Sequence, residues 1–138
     1  MNNTTVLLEG EEKTAEFASD FAKELKAGDV IELIGDVGSG KTFFVRSLAK
    51  ALGADGVSSP SFVIKNEYTS GKIPIMHYDF YRLDDPGIMH AEINESLSSD
   101  NLVIVEWAGN VKDVLPQDRY KIQFRVTAED TRELTIVK

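Results

Sequence analysis

One short stretch constrains this chain more than any other: Gly35-Asp36-Val37-Gly38-Ser39-Gly40-Lys41-Thr42, which fits G-x-x-x-x-G-K-[ST]. It follows an apolar run, Val30 to Ile34, that reads as a buried strand. It opens Lys41 to Leu52, where Phe44, Val45, Leu48, Ala49 and Leu52 fall on one helical face. Strand, glycine loop and helix together are the context in which the pattern has a mechanism, that of a P-loop. The glycines let the backbone curl so that successive N–H groups point at phosphate oxygens, and the helix start adds a partial positive charge. Lys41 then reaches the β and γ phosphates, and the Thr42 hydroxyl is a hard oxygen suited to Mg2+.

The rest of the chain supplies elements to carry such a loop. Val6 to Leu8 is a short strand candidate, and Glu11 to Lys26 has helical spacing at Ala15, Ala18, Phe21, Ala22 and Leu25, with Gly28 as the stop. Phe62 to Tyr68 and Ile73 to Tyr81 are strand candidates joined through Thr69-Ser70-Gly71. Pro86 to Leu97 reads as a helix with Asp85 as N-cap, and Leu102 to Glu106 as a buried strand. Tyr120 to Val126 and Glu133 to Val137 form a hairpin around Ala128-Glu129-Asp130. At 138 residues this is one domain, residues 1–138, of α/β or α+β class.

Composition excludes other roles. Fifteen basic against 23 acidic residues give a net charge of −8, so strong direct nucleic-acid binding is not expected. The chain contains no cysteine, which removes disulfides, thiolate metal sites and a Cys nucleophile. Neither a membrane-length apolar run nor a secretory leader is visible, and a cytoplasmic location is expected.

A P-loop needs a further acid at the end of a buried strand. Glu106, after Leu102-Val103-Ile104-Val105, is one candidate; Asp79, within His77-Tyr78-Asp79-Phe80-Tyr81-Arg82, is the other. Each also has a plain reading, Glu106 as a solvated strand-end carboxylate and Asp79 as a salt bridge to Arg82, and the residues alone do not choose. His77 and His90 read as ordinary structural or surface residues. Guanine-reading proteins use N-K-x-D, whose nearest approach here is Asn110-Val111-Lys112-Asp113, so by analogy ATP is preferred to GTP.

Four blocks, in order, resemble the TsaE family, formerly YjeE, of bacterial tRNA threonylcarbamoyladenosine synthesis. They are Gly35 to Arg46, Ser58-Ser59-Pro60-Ser61-Phe62, His77-Tyr78-Asp79-Phe80-Tyr81-Arg82-Leu83 and Val105-Glu106-Trp107. The resemblance implies a P-loop NTPase-like α/β fold, a mostly parallel sheet with antiparallel additions and helices on both faces. It implies ATP and Mg2+ as cofactors and ATP hydrolysis together with TsaD and TsaB. Lys41, Asp79 and Glu106 then serve catalysis, Thr42 and Glu106 hold the metal, and Ser58 to Phe62 form a switch-like loop. Gly35, Asp36, Val37, Gly38, Ser39, Gly40, Lys41 and Thr42 bind nucleotide, with Glu11 and Thr14 near the base and Arg132 matching a family arginine close to the site. Departures are Val37 and Ser39 for Leu and Ala, Phe43 for Thr, Ser59 and Ser61 for threonines, and Ala108-Gly109 where the family has proline after Trp107.

Two rival functions remain open on sequence. A small-molecule kinase would need an arginine-rich lid, whereas Arg46, Arg82, Arg119, Arg125 and Arg132 are scattered. A nucleotide-dependent regulatory module would bind ATP and dock a partner without significant turnover.

Overall fold

A computed structural model of the chain describes residues 3–36, 38–54, 65–81, 85–97 and 100–138. Its elements in chain order are β1 (Thr4–Glu9), α1 (Gly10–Ala22), β2 (Val30–Ile34), α2 (Lys41–Ala51), β3 (Lys65–Tyr68), β4 (Ile75–Asp79), α3 (Pro86–Ser96), β5 (Leu102–Glu106), β6 (Tyr120–Ala128) and β7 (Thr131–Val137). The strands form one seven-stranded sheet in the order β1-β7-β6-β2-β5-β4-β3. The four central strands, β6, β2, β5 and β4, are mutually parallel. β7 and β1 add antiparallel on one flank and β3 on the other. This is the expected α/β architecture.

Alternation along the strands divides the interior in two. Ile31, Leu33, Ile75, Leu102, Ile104, Ile122 and Phe124 point to the face covered by α1 and α2, where Phe21, Phe44 and Leu48 pack onto them. Val30, Tyr78, Val103 and Val105 point the other way, toward Met89 and Ile93 of α3 and toward Val111 and Leu115. Helices therefore lie on both faces. β5 is buried at every position, which explains its uninterrupted apolar run.

Each element edge has a local cause. α1 stops at Ala22, before Lys26: the N–H groups of Lys23, Glu24 and Leu25 bond three residues back, to the carbonyls of Asp20, Phe21 and Ala22, the Asp29 carboxylate then accepts the Lys26 N–H at 2.9 Å, and Gly28 turns the chain at φ +98°. β4 begins after Pro74 and ends at Asp79, whose Oδ1 accepts the Tyr81 N–H at 3.0 Å. It is therefore shorter at both ends than the run from Ile73 to Tyr81. Asp85 caps α3 as expected, accepting from the Ile88 N–H at 3.1 Å. Across the opposite end of that helix, the Tyr78 hydroxyl donates to the Glu92 carbonyl at 2.9 Å and meets Ser96; burial pushes its pKa up to about 12. Among the described residues, no helix is long and apolar enough to cross a membrane.

Candidate functional site

Parallel pairing decides what stands at the head of the sheet. The register aligns Asp79 with Glu106, and Glu106 with Leu33, so the ends of β4, β5 and β2 finish level with one another. The connection from β2 into α2 leaves the same edge, which places the glycine-rich loop beside both acids. Both glycines that bound the loop are required by geometry. A Cβ on Gly35 would lie 2.8 Å from Ser39 Oγ and 3.0 Å from the Phe124 carbonyl oxygen, and Gly40 enters α2 at φ +103°. Among the described residues no side chain caps α2, whose first turn, with Gly40, Lys41, Thr42 and Phe43, borders the cleft.

A cleft of about 420 Å³ opens at this edge, lined by Gly38, Gly40, Lys41, Thr42, Asp79, Glu106 and the aromatic rim of Phe43, Tyr81 and Trp107. Lys41 and Glu106 are 5% and 2% exposed, with Lys41 Nζ 3.8 Å from Glu106 Oε1. The lysine also donates to the Gly35 carbonyl, and its ammonium lies 4.4 Å from the Trp107 ring centroid. The second Glu106 oxygen, Oε2, is 2.5 Å from His77 Nε2. The solvated-carboxylate reading of Glu106 is thus excluded: this is a buried, doubly partnered acid. Asp79 is half-buried and Thr42 exposed to the cleft. Trp107 follows Glu106 at φ +58°, a backbone conformation that costs a non-glycine residue of order 1 kcal/mol and turns its ring back over the lysine.

A second cavity of about 330 Å³ lies on the other side of the loop, lined by Gly10, Glu11, Thr14, Phe124, Glu129, Asp130 and Arg132, and shares Ser39, Gly40 and Phe43 with the loop and its helix. The turn between β6 and β7 closes it. The Asp130 carbonyl accepts the Gly10 N–H at 2.6 Å, and Arg132 Nε donates to the Ser39 carbonyl at 3.1 Å. Arg132 therefore clamps the loop.

Sequence reasoning placed most of these residues together. Lys41, Thr42, Asp79, Glu106, Gly38 and Gly40 surround one cleft; Glu11, Thr14, Ser39 and Arg132 line the neighbouring cavity. Among the described residues, Asp36 is exposed and lines neither, though its carbonyl accepts the Ser39 N–H at 3.1 Å. Val37, the Ser58 to Phe62 loop, Arg82 and Leu83 lie outside the described residues. His77 was missed. The available signal was its spacing of two from Asp79, which puts both side chains on one face of β4.

A hydroxyl and two carboxylates at one cleft are hard oxygen donors, the set that suits Mg2+ when phosphate oxygens and waters complete the shell. Among the described residues there is no group of three or more His, Cys, Asp or Glu placed to hold a metal ion.

The family described as "Threonylcarbamoyl adenosine biosynthesis protein TsaE" matches residues 8–134. The chain belongs to the TsaE family. A tRNA threonylcarbamoyladenosine biosynthesis protein TsaE from Bacillus subtilis is 38% identical over 125 residues, covering 90% of this chain and 78% of that relative. A protein of the same name from Rickettsia bellii is 34% identical and covers 96% of this chain and 93% of its own length. The crystal structure of Bacillus subtilis YdiB superposes with a TM-score of 0.79 at 32% identity, over 98% of this chain and 84% of that one.

Proposed function

We propose that this TsaE-family chain binds ATP with Mg2+ and hydrolyses it, as the ATPase component of tRNA threonylcarbamoyladenosine synthesis working with TsaD and TsaB. The observation that carries the reading is the convergence of Lys41, Thr42, Asp79 and Glu106 on one cleft at the mouth of the glycine-rich loop. The names of the relatives support the pathway.

The chain's groups divide the work. Loop N–H groups and the start of α2 face the phosphates, and Lys41 exchanges the Gly35 carbonyl and Glu106 for phosphate oxygens. Thr42 and Glu106 would hold Mg2+, which would supply positive charge against the phosphate oxygens. Asp79, fixed by the Tyr81 N–H, orients the attacking water. The bond from the γ phosphorus to the bridging oxygen breaks as the water oxygen bonds to phosphorus; the proton that the water gives up passes to solvent, and ADP and phosphate leave. The second cavity suits the base and ribose, with Thr14 at its wall and Arg132 holding the loop that separates the two spaces.

The kinase alternative finds little support among the described arginines, which sit on separate elements: Arg46 is exposed on α2, Arg119 pairs with buried Glu32 at 2.9 Å, Arg125 with Glu133 at 3.0 Å, and Arg132 is bound to the loop. An acidic ATPase can act on a protein complex that itself contacts RNA. Hydrolysis measured with and without TsaD and TsaB tests the whole reading. Slow turnover alone and an increase with partners are expected, since an added charge-stabilising group is worth roughly 10³ to 10⁵ in related NTPases. Fast turnover indifferent to the partners would defeat the partnership, binding without turnover would favour the regulatory module, and failure to bind ATP would defeat the reading itself.

A further inference from the structure

We infer that His77 is a positioning residue for Glu106: its Nε2–H holds Oε2, so that Oε1 alone is presented to Lys41 and to the cleft. His77 is 4% exposed and comes from β4, whereas Glu106 ends β5, so the bond joins the side chains of two adjacent strands at the site edge. The other ring nitrogen, Nδ1, is buried without a hydrogen-bond partner among the described residues. A carboxylate oxygen can only accept, so the proton of this bond is carried by Nε2. Lys41 already supplies the cation facing this carboxylate.

The geometry assigns one oxygen to each partner. With Oε2 held by the imidazole, Glu106 cannot swing to offer both oxygens to Lys41. When phosphate takes the lysine, Oε1 is left uncovered, aimed into the cleft and at a fixed orientation. Carboxylates that bind metal are commonly oriented by such an outer hydrogen bond, and its loss typically costs 10- to 100-fold in metal affinity. His77 thus sets the Mg2+ requirement without touching either the metal or the nucleotide. This rests on the reading of Glu106 as a magnesium ligand.

A merely structural role would make the same bond serve only the join between β4 and β5. Two near-isosteres separate the cases. Gln at position 77 places its amide nitrogen near the site of the imidazole Nε2, whereas Asn reaches only the position of Nδ1. His77→Gln, His77→Asn and His77→Leu are compared by thermal midpoint and by the Mg2+ concentration that half-saturates ATP binding. The nucleotide-free protein is also inspected by NMR for a downfield imidazole N–H proton. Positioning requires that proton signal in the parent, its loss in His77→Leu and its displacement in Glu106→Gln. It further requires a Mg2+ requirement raised about ten-fold or more in His77→Asn and His77→Leu, and restored in His77→Gln. Equal Mg2+ requirements in all the variants, or equal impairment of Gln and Asn with matching losses of thermal midpoint, overturns the inference alone. A parent protein whose ATP binding ignores Mg2+ overturns the magnesium reading of Glu106 and the inference with it.

Discussion

On one side of the glycine-rich loop, Lys41, His77 and Glu106 are each no more than 5% exposed and are joined to one another. On the other side, Glu11, Glu129 and Asp130 stand exposed, and Arg132 directs its hydrogen bonds to backbone carbonyls of Ser39, Glu129 and Thr131. Both spaces border the same loop, yet they tolerate change differently. A buried charge network has no water to fall back on, so removing one member leaves the others unpaired at a cost of several kcal/mol. Contacts between a partly exposed side chain and carbonyls each contribute about 1 kcal/mol, and water replaces them. Substitutions in the cleft should therefore act on chemistry and fold together, and those across the loop on affinity alone.

The largest effect belongs to Lys41→Ala. Among the described residues lining the cleft no other side chain is cationic, and charge-assisted contacts of this kind are worth about 1.5 to 3 kcal/mol. ATP affinity measured by calorimetry should fall ten-fold or more, with turnover falling at least as far. Unchanged affinity and turnover would dissolve the contrast between the two sides, because the buried lysine would then be only a structural cation.

Next come the two acids, which should separate from each other. Glu106→Gln keeps the volume and the contact with His77 while removing the charge, whereas Glu106→Ala would strand both Lys41 and His77. The Gln variant should bind ATP with a weakened response to Mg2+. Asp79→Ala should bind ATP with Mg2+ nearly as the parent does and hydrolyse it poorly. Normal hydrolysis by Asp79→Ala would remove that residue from the catalytic assignment.

The same contrast explains what could be read in advance. β2 and β5 match their expected spans to the residue, because continuous apolar runs bounded by glycine or acid leave little choice. β1 runs from Thr4 to Glu9, longer than Val6 to Leu8, because pairing with β7 holds polar residues extended where no apolar pattern marks them. The cleft was legible through the glycine motif and the strand-end acids. What stayed hidden depended on which strands become neighbours: the bond from His77 to Glu106 and the ion pair from Arg119 to Glu32 cross 29 and 87 residues of sequence. No local pattern encodes such pairs, and only the parallel register brings them together.

Arg132→Ala probes the tolerant side. It frees the Ser39 carbonyl and opens the wall between the two cavities, while leaving Lys41 and Glu106 in place. ATP affinity should fall only a few-fold, in proportion to about 1 kcal/mol, with the Mg2+ response unchanged. A loss as large as that of Lys41→Ala would show that the loop depends on the clamp as heavily as on its buried charge.

The smallest effect is spectroscopic. Trp107, the sole tryptophan, lies 37% exposed with its ring centroid 4.9 Å from that of Tyr81 and its face over the Lys41 ammonium. A cation over an exposed indole is worth about 0.5 to 1 kcal/mol, so Trp107→Phe should alter ATP affinity by no more than about five-fold. The indole nevertheless reports where the lysine is. ATP that draws Lys41 from Gly35 and Glu106 onto phosphate also withdraws it from the ring, and the intrinsic emission should shift during a titration of ATP with Mg2+. The nucleotide-free Lys41→Ala variant should already show the altered emission, because its ring has lost the same cation. Emission that stays flat through saturation in the parent protein, with binding confirmed by calorimetry, would mean that Lys41 keeps its buried partners when the cleft is filled.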